Sequence, residues 1–247
     1  TFSIAGEREK TWGKKKKFRE GQKEQTLDDL SFVFIETVKK LKPKVVIMEN
    51  VEGLILGNAW KYVQEIYKKF NDIGYKVKHW LLKGEKMGVP QKRHRVFFVA
   101  TRIDFDLEQI NMSFNYEPIL FKECKSGIGG KVSNSVYYLL SNANENDKSI
   151  ADINKRLNGK NSRFNEMIVW NNSVSPTIHN HGFYRGNDIQ KFTVEDYRNY
   201  QTFPQDYNFM NESASYICGM SVPPVMMKRV VKIIIDSGIF VETKNND

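Results

Sequence analysis

The sequence predicts an α/β fold in which helices alternate with the strands of a sheet, with a smaller domain inserted after them. Two observations support this prediction. Apolar residues recur at helical spacing and are followed by short apolar runs that are typical of strands. From residue 102 to residue 170 this periodicity gives way to polar sequence rich in Asn and Ser. The strand-like runs account for only part of a sheet, and the polar stretch is expected to form the inserted domain.

The first helix is expected from residue 28 to residue 41, and it should end at Lys42-Pro43 because proline cannot continue a helix. The run Val45-Val46-Ile47-Met48 follows immediately. A short, continuously apolar and β-branched run favours a strand buried on both faces of a parallel sheet. This part of the chain is therefore expected to form a helix followed by a buried strand.

The same order recurs further along the chain. Residues 59 to 71 predict a second helix, and residues 75 to 82 and 95 to 101 predict two further strands. Residues 194 to 200 and 225 to 235 again have helical patterns. The last of these helices is expected to pack back on the sheet.

Composition and charge limit the possible classes of protein. The 247 residues are 40% hydrophobic and 13% aromatic, which is enough to fill a core. The net charge of +9 favours a polyanionic partner, although charge alone does not identify one. A polar segment, residues 7 to 28, contains the cluster Lys14, Lys15, Lys16 and Lys17 and is expected to be a mobile basic loop. A solvated charge run is the alternative interpretation of this cluster.

Several other features argue against particular classes of site. No apolar run is long enough to cross a bilayer and no signal-peptide core is present, so we expect a cytoplasmic protein. Cys124 and Cys218 lack Cys-x-x-Cys spacing, so neither a disulfide nor a zinc site is indicated. The stretch His179-Asn180-His181 has no further ligands at suitable spacing, and no metal is expected. Residues 127 to 130 are rich in glycine but follow no apolar strand, so we expect a plain loop.

A carboxylate lies where the first predicted strand ends, in the stretch Glu49-Asn50-Val51. In open α/β sheets, ligands bind beyond the carboxyl ends of the strands, so Glu49 is well placed to act on a bound molecule. The alternative is a carboxylate that caps a helix or stabilises a turn. The position alone does not decide between these two interpretations.

A second polar stretch contains Gln91, Arg93 and Arg95, directly before a predicted strand. Side chains alternate along an extended segment, so these three are expected to face the same way. Two guanidinium groups and an amide can hold a phosphate or a carbonyl oxygen and can pair with a carboxylate. An exposed basic edge is the alternative interpretation.

Together these stretches resemble the cytosine-5 DNA methyltransferases, whose Glu-Asn-Val and Gln-x-Arg-x-Arg motifs they match. Further stretches follow the order of the family's motifs: Thr1-Phe2-Ser3-Ile4-Ala5-Gly6, Ser175-Pro176-Thr177-Ile178, Phe192-Thr193-Val194 with Gln201-Thr202-Phe203-Pro204, and Gly219-Met220-Ser221-Val222-Pro223-Pro224. The resemblance extends over almost the whole chain.

The resemblance implies a partial Rossmann-like methyltransferase sheet, made of the strands that follow the nucleophile motif, with a small inserted target-recognition domain. Residues 1–101 would belong to the catalytic domain, residues 102–185 to the target-recognition domain, and residues 186–247 would return to the catalytic domain with a closing helix. The family's nucleophile lies in a Pro-Cys-Gln motif two residues before the position of Thr1. We therefore expect this chain alone to be inactive.

The resemblance also implies an activity: transfer of a methyl group from S-adenosylmethionine to C5 of a cytosine that has been swung out of duplex DNA. Glu49, with Asn50 beside it, would bind the base, and Arg95 would contact its carbonyl. Arg93 and Gln91 would orient the Glu49 carboxylate and the active-site loop.

The remaining implied roles concern DNA and the cofactor. Thr177 would touch the phosphate beside the extruded base, and Ser3 and the lysine cluster would also meet DNA. Met220, Ser221 and Val222 would lie at the cofactor, although most of its site is expected outside this chain. Met220 replaces the family's usual Asn, so Ser221 and the backbone would have to make that contact.

The resemblance implies a bacterial or phage-like protein of restriction-modification. Three alternatives remain: a catalytically inactive DNA-recognition subunit, a chain completed by a separate polypeptide that carries the cofactor loop and the cysteine, and a tRNA cytosine-5 methyltransferase.

Overall fold

A computed structural model describes residues 15–16, 25–26, 29–159, 161–162, 166–179 and 182–240. The chain forms two compact units. Unit 1 comprises Thr1–Leu82, His94–Ser113 and Val231–Asp247, and unit 2 comprises Lys83–Arg93 and Phe114–Val230. The resemblance implies a different division, with residues 1–101 and 186–247 in a catalytic domain and residues 102–185 in a target-recognition domain. That division remains a prediction.

Helices and strands are numbered in chain order. The strands are β1 (Lys15–Lys16), β2 (Gln25–Thr26), β3 (Val45–Val51), β4 (Tyr75–Lys83), β5 (Gln91–Lys92), β6 (His94–Arg102), β7 (Met167–Val169), β8 (Ser175–Pro176), β9 (Phe183–Arg185) and β10 (Gln190–Lys191). The helices are α1 (Leu30–Leu41), α2 (Trp60–Asp72), α3 (Phe121–Cys124), α4 (Asn134–Ser141), α5 (Ile150–Asn158), α6 (Val194–Tyr200), α7 (Ala214–Met220) and α8 (Pro224–Asp236).

The predicted helices and strands of unit 1 are confirmed to within two residues at most ends. Helix α1 ends at Leu41, where Lys42 adopts a left-handed conformation with φ of 50° before the proline. Helices α1 and α2 bury apolar residues such as Ile35 and Phe70 in one core with alternate residues of β3 and β6. This core covers one face of a sheet whose strand order is β3-β6-β4.

The strand at residues 45–48 was predicted to lie in a parallel sheet. This prediction is wrong for its pairing with β6. Strand β3 pairs with β6 in antiparallel register, from Val45 opposite Thr101 to Val51 opposite Arg95. Burial alternates along β3, whereas β6 is continuously buried from Val96 to Thr101 because it is the central strand of the three. A continuous apolar run indicates burial but does not indicate the direction of the neighbouring strand.

Unit 2 contains the polar stretch only from Phe114 onward, because residues 102 to 113 belong to unit 1. It has short helices and strands throughout. Strands β10, β9 and β7 form one small sheet, and β5 pairs with β8 in parallel register. An aromatic core that includes Phe121, Phe183, Phe192 and Tyr200 packs these elements together. The predicted helix at 194–200 is confirmed as α6.

A buried ion pair stabilises unit 2. The Arg185 guanidinium donates to both carboxylate oxygens of Asp196, with a shortest distance of 2.7 Å, and the two side chains are 1% and 0% exposed. Asp196 also accepts a hydrogen bond from the backbone N–H of Thr193 at the start of α6. Arg185 Nη1 donates to the carbonyl of Gly127 and so holds the glycine-rich loop that the sequence predicted.

A side chain at Gly88 in unit 2 would have to displace a neighbouring guanidinium. Gly88 has a φ of +63°, and a Cβ there would lie 2.6 Å from a guanidinium nitrogen of Arg229. The Arg229 guanidinium lies over the ring of Tyr116, at 3.5 Å from its centroid. Gly88 precedes the Gln91 to Arg95 stretch, so its conformation fixes where that stretch begins.

In the described part of the chain, no helix is both long enough and apolar enough to cross a membrane.

Candidate active site

An ion pair lies at the carboxyl end of β3. Arg95 Nε is 2.8 Å from Glu49 Oε1. The strand register explains the contact: Glu49 is opposite Phe97 and Val51 is opposite Arg95, so Glu49 and Arg95 are diagonal neighbours on one face of the antiparallel pair. The carboxylate and the guanidinium therefore meet on one face of the sheet. That they bind a pyrimidine, together with Arg93, remains a prediction.

The ion pair is largely removed from solvent but still accessible on the carboxylate side. The Arg95 side chain is 13% exposed and that of Glu49 is 26% exposed. Burial lowers the pKa of Arg95, and the neighbouring Glu49 carboxylate opposes this shift. Arg95 Nη1 also donates to the carbonyl of His94, at 2.7 Å. The guanidinium is thus fixed, and it fixes the carboxylate in turn.

Two further polar groups of unit 1 lie close to Glu49 in the sequence. The Asn50 side-chain oxygen accepts a hydrogen bond from the backbone N–H of Val51, at 2.9 Å, and so stabilises the end of the strand. The Glu52 carboxylate is 3.2 Å from Nδ1 of His94. Asn50 and Glu49 lie on opposite faces of β3 because side chains alternate along a strand.

Gln91 is fully buried in unit 2, and its amide bonds to distant parts of the chain. Its Nε2 donates to the carbonyl of Tyr200 at 3.0 Å and to Oε1 of Gln201 at 2.8 Å. Its Oε1 accepts from the backbone N–H of Ile178 at 3.1 Å. Gln91 therefore joins the segment that contains Thr177 to the end of α6.

Arg93 is also buried in unit 2, with 1% of its surface exposed. Its Nη2 donates to the carbonyls of Gly219 and Ser221, at 2.9 and 2.7 Å. The predicted stretch from Gln91 to Arg95 is divided between β5 and β6, with Arg93 between the two strands. That Arg93 and Gln91 also orient the Glu49 carboxylate remains a prediction.

Thr177 follows β8 and is half-buried, and its hydroxyl donates to the carbonyl of Lys92 at 2.6 Å. A hydroxyl has one proton to donate, so a phosphate contact would require this hydroxyl to rotate. The contact would then cost the bond to Lys92.

One side of the segment Met220-Ser221-Val222 is hydrogen-bonded to the rest of the protein, and the other side is exposed to solvent. The Ser221 hydroxyl accepts from Gln201 Nε2 at 3.0 Å and donates to the carbonyl of Cys218 at 3.2 Å. The Met220 side chain is 60% exposed and Val222 is half-buried. A ligand at this segment would meet mainly apolar surface, with one further acceptor position on the Ser221 oxygen.

The basic cluster falls mostly outside the described residues, as do Ser3, Lys14 and Lys17. The backbones of Lys15 and Lys16 form β1, which pairs in antiparallel register with β2. Contacts between this cluster and DNA remain a prediction.

The two cysteines are poor nucleophiles. Burial raises the pKa of Cys124 and of Cys218 to about 12, so both remain thiols at neutral pH. The Cys218 thiol donates to the carbonyl of Tyr197 at 3.4 Å. In the part of the chain that the structure describes, no group of three or more His, Cys, Asp or Glu residues is arranged to hold a metal ion.

Sequence reasoning gave no role to two residues that the structure places in these hydrogen bonds and ion pairs. Gln201 bonds to Gln91 and to Ser221, and Arg185 is the partner of Asp196. Gln201 lies in a stretch that matches a family motif, which was the only available signal. Arg185 gave no signal, because its partner is defined only by the tertiary structure.

The sheet, the Glu49–Arg95 ion pair and the motif segments joined by Gln91 define the class of protein: a cytosine-5 methyltransferase. The family model for C-5 cytosine-specific DNA methylase matches residues 1–236. The chain belongs to this family.

Curated relatives share shorter stretches. The chain is 32% identical over 123 residues to the orphan methyltransferase M.SPRI of Bacillus phage SPR, which covers 49% of this chain and 25% of that protein. It is 38% identical over 96 residues to the type II methyltransferase M.FnuDI of Fusobacterium nucleatum, which covers 39% of this chain and 27% of that protein. The matched part of the chain thus spans about a quarter of these relatives.

Solved structures support the Rossmann-like methyltransferase fold. A putative DNA modification methyltransferase encoded within an E. coli prophage superposes with a TM-score of 0.61 and 17% identity, covering 85% of this chain and 74% of that one. The Spodoptera frugiperda DNMT2 mutant superposes with a TM-score of 0.57 and 16% identity, covering 90% of this chain and 76% of that one.

Proposed function

We propose that this chain provides the base-binding part of a DNA (cytosine-5)-methyltransferase that acts on a cytosine extruded from duplex DNA. The single observation that carries this proposal is the Glu49–Arg95 ion pair at the carboxyl end of β3. It provides a fixed carboxylate beside a fixed guanidinium, which is the arrangement that a pyrimidine ring with an amine and a carbonyl requires. The net charge of +9 is consistent with a polyanionic substrate.

Glu49 would stabilise the charge that develops during the reaction. A thiolate adds to C6 of the base, and electron density moves towards N3 and the carbonyl oxygen. One oxygen of Glu49 would accept from the exocyclic amine, and the other, once protonated, would donate to N3, while Arg95 would donate to the carbonyl oxygen; these bonds would be strongest at that point. Loss of the C5 proton and of the thiolate from C6 then restores the aromatic ring.

S-adenosylmethionine, when bound, supplies the methyl group that C5 takes. Met220, Ser221 and Val222 would hold it mainly by apolar contact, because the Ser221 hydroxyl already bonds to Gln201 and Cys218. The open, largely apolar side of this segment suits the flat adenine ring of such a molecule. The proposed chemistry needs no metal.

The attacking thiolate is expected from a Pro-Cys-Gln motif rather than from Cys124 or Cys218. Both of these cysteines are buried, with pKa values raised to about 12. The 247 residues alone are therefore proposed to bind DNA without methylating it. The relatives give no support to a separate polypeptide that carries the cysteine, and the proposal does not require one. The type II relatives suggest a role in restriction-modification.

The test is transfer of labelled methyl groups by a polypeptide in which both the family's cofactor loop and Pro-Cys-Gln precede the residues that begin at Thr1. Duplex DNA and tRNA are offered in parallel, and we expect label at C5 of cytosine in the duplex. Label in tRNA alone would contradict the proposed substrate. Tight duplex binding with no transfer to either substrate would instead support an inactive recognition subunit.

A further inference from the structure

A chain of buried amide side chains connects the Thr177 segment to the Ser221 segment. In the proposed function, the first of these segments binds DNA and the second binds S-adenosylmethionine. Gln91 and Gln201 are both 0% exposed. Gln91 Oε1 accepts from the backbone N–H of Ile178, beside Thr177, and Gln91 Nε2 donates to Gln201 Oε1. Gln201 Nε2 then donates to the carbonyl and the hydroxyl of Ser221, at 2.8 and 3.0 Å. All of these residues belong to unit 2.

The direction of both amides is fixed by the backbone groups at the two ends. The N–H of Ile178 can only donate, so it must face an amide oxygen, and the carbonyls of Tyr200 and Ser221 can only accept, so they must face amide nitrogens. The hydrogen bond between Gln91 and Gln201 follows from these constraints. Neither amide can turn over without breaking the bonds of the other.

We propose that Gln201 is a positioning residue that couples DNA binding at the Thr177 segment to cofactor binding at the Ser221 segment. A buried amide that loses a hydrogen bond destabilises the fold. Ordering of the Thr177 segment therefore favours ordering of the Ser221 segment, and the reverse also holds. A ligand that holds either segment therefore stabilises the other. This proposal rests on the proposed function, since it takes its two ligands from there.

Arg93 makes a second connection to the same segment, through the carbonyls of Gly219 and Ser221. This bond holds the backbone of that segment, and it is linked to Thr177 only through the neighbouring Lys92, whose carbonyl accepts from the Thr177 hydroxyl. Loss of Gln201 should therefore leave the Ser221 segment in place while weakening its coupling to Thr177. The expected defect is one of coupling rather than of binding at either end.

The experiment measures the dissociation constant of a duplex containing the target cytosine, with and without S-adenosylhomocysteine, in the full-length protein. Allosteric couplings are typically about 5–150-fold, and coupling is reciprocal, so DNA should tighten S-adenosylhomocysteine binding by the same factor. In Gln201→Met the factor should fall at least about fivefold, towards unity. The matched control is Gln205→Met, because Gln205 is exposed and its side chain bonds to Asn199. This control should keep the wild-type factor.

A second measurement keeps the test valid if Gln201→Met does not fold. Gln201→Glu retains the oxygen that faces Gln91 but replaces the nitrogen that donates to Ser221, so it should also lose coupling. Hydrogen exchange at the Ile178 amide gives an independent readout in the absence of DNA. Addition of S-adenosylhomocysteine should slow this exchange in the wild type and leave it unchanged in either Gln201 variant.

The possible outcomes separate this proposal from the proposed function. A wild-type protein that binds neither duplex nor S-adenosylhomocysteine would overturn the proposed function. A wild-type protein that binds both without coupling, or a folded Gln201 variant that keeps the wild-type factor, would overturn the role of Gln201 alone.

Discussion

Replacement of Glu49 by glutamine separates the structural role of this residue from its proposed role in the reaction. The amide has the same shape as the carboxylate, and its oxygen can still accept from Arg95 Nε at the observed 2.8 Å. What is lost is the negative charge, and with it the ability to take up a proton and donate it to N3. Charge-assisted hydrogen bonds are roughly twice as strong as neutral ones, so we expect a loss of only about 1 kcal/mol in the free energy of unfolding.

The expected effect on the reaction is larger. If Glu49 binds N3 and the exocyclic amine while charge develops on the base, its loss should reduce turnover by about 10²-fold or more. A hundredfold corresponds to about 2.7 kcal/mol of transition-state stabilisation. The affinity for duplex DNA should change little, because most of that affinity comes from phosphate contacts.

The assay is single-turnover methyl transfer, with duplex binding and urea unfolding measured on the same preparation. The matched control is Glu52→Gln, because Glu52 is a similarly exposed carboxylate on the adjoining segment whose partner is His94. The control should lose little turnover. A Glu49→Gln protein with unchanged turnover, or one whose loss of turnover equals that of Glu52→Gln, would refute the assignment.

Four further predictions concern stability and DNA binding. Gly88→Ala should cost about 2–3 kcal/mol by urea unfolding, because it combines a positive φ with displacement of the Arg229 guanidinium from the Tyr116 ring, whereas Gly159→Ala, with a φ of 64° and nothing within 4 Å, should cost only about 1–2 kcal/mol; equal losses would contradict the close contact. Arg185→Met should cost about 3–5 kcal/mol because it leaves the buried Asp196 carboxylate without its guanidinium, and a loss below about 1 kcal/mol would be inconsistent with this ion pair. The raised pKa values of the two buried cysteines, about 12 instead of 9.0, mean that the unfolded chain releases their protons first; their contribution to stability should be constant below pH 9 and be lost between pH 9 and about 12, so the wild type should lose more stability over that range than a Cys124→Ala, Cys218→Ala variant, and an equal loss would refute the burial of these thiols. Neutralising the lysines at 14–17 should reduce the slope of log K for duplex binding against log salt by about 0.9 for each lysine that meets a phosphate, and an unaltered slope would mean that they meet none.

The sequence was sufficient for features that depend on local pattern. Helix α1 ends before Pro43 because proline cannot continue a helix, and the apolar spacing of α2 and α8 was enough to place them within a residue or two. Glu49 could be assigned to a site because it combines a strand end with a family motif. These signals lie within a few residues of the feature that they predict.

Features that depend on distant partners could not be read from the sequence. The antiparallel pairing of β3 was missed because burial carries no information about strand direction. Gln91 was expected to share a face with Arg95, yet its bonds reach Tyr200 and Ile178, more than eighty residues away. No local pattern predicts such bonds, because they arise only when the unit folds.

The most direct test is a crystal structure of a polypeptide that includes the Pro-Cys-Gln motif, trapped on a duplex whose target base is 5-fluorocytosine. Fluorine at C5 blocks the final elimination, so the base stays bonded to the thiolate. The Glu49 carboxylate should then lie within hydrogen-bonding distance, about 2.7–3.2 Å, of N3 or the exocyclic amine of the extruded base, with Arg95 at its carbonyl oxygen. A trapped base that contacts neither side chain would contradict the proposed cytosine site.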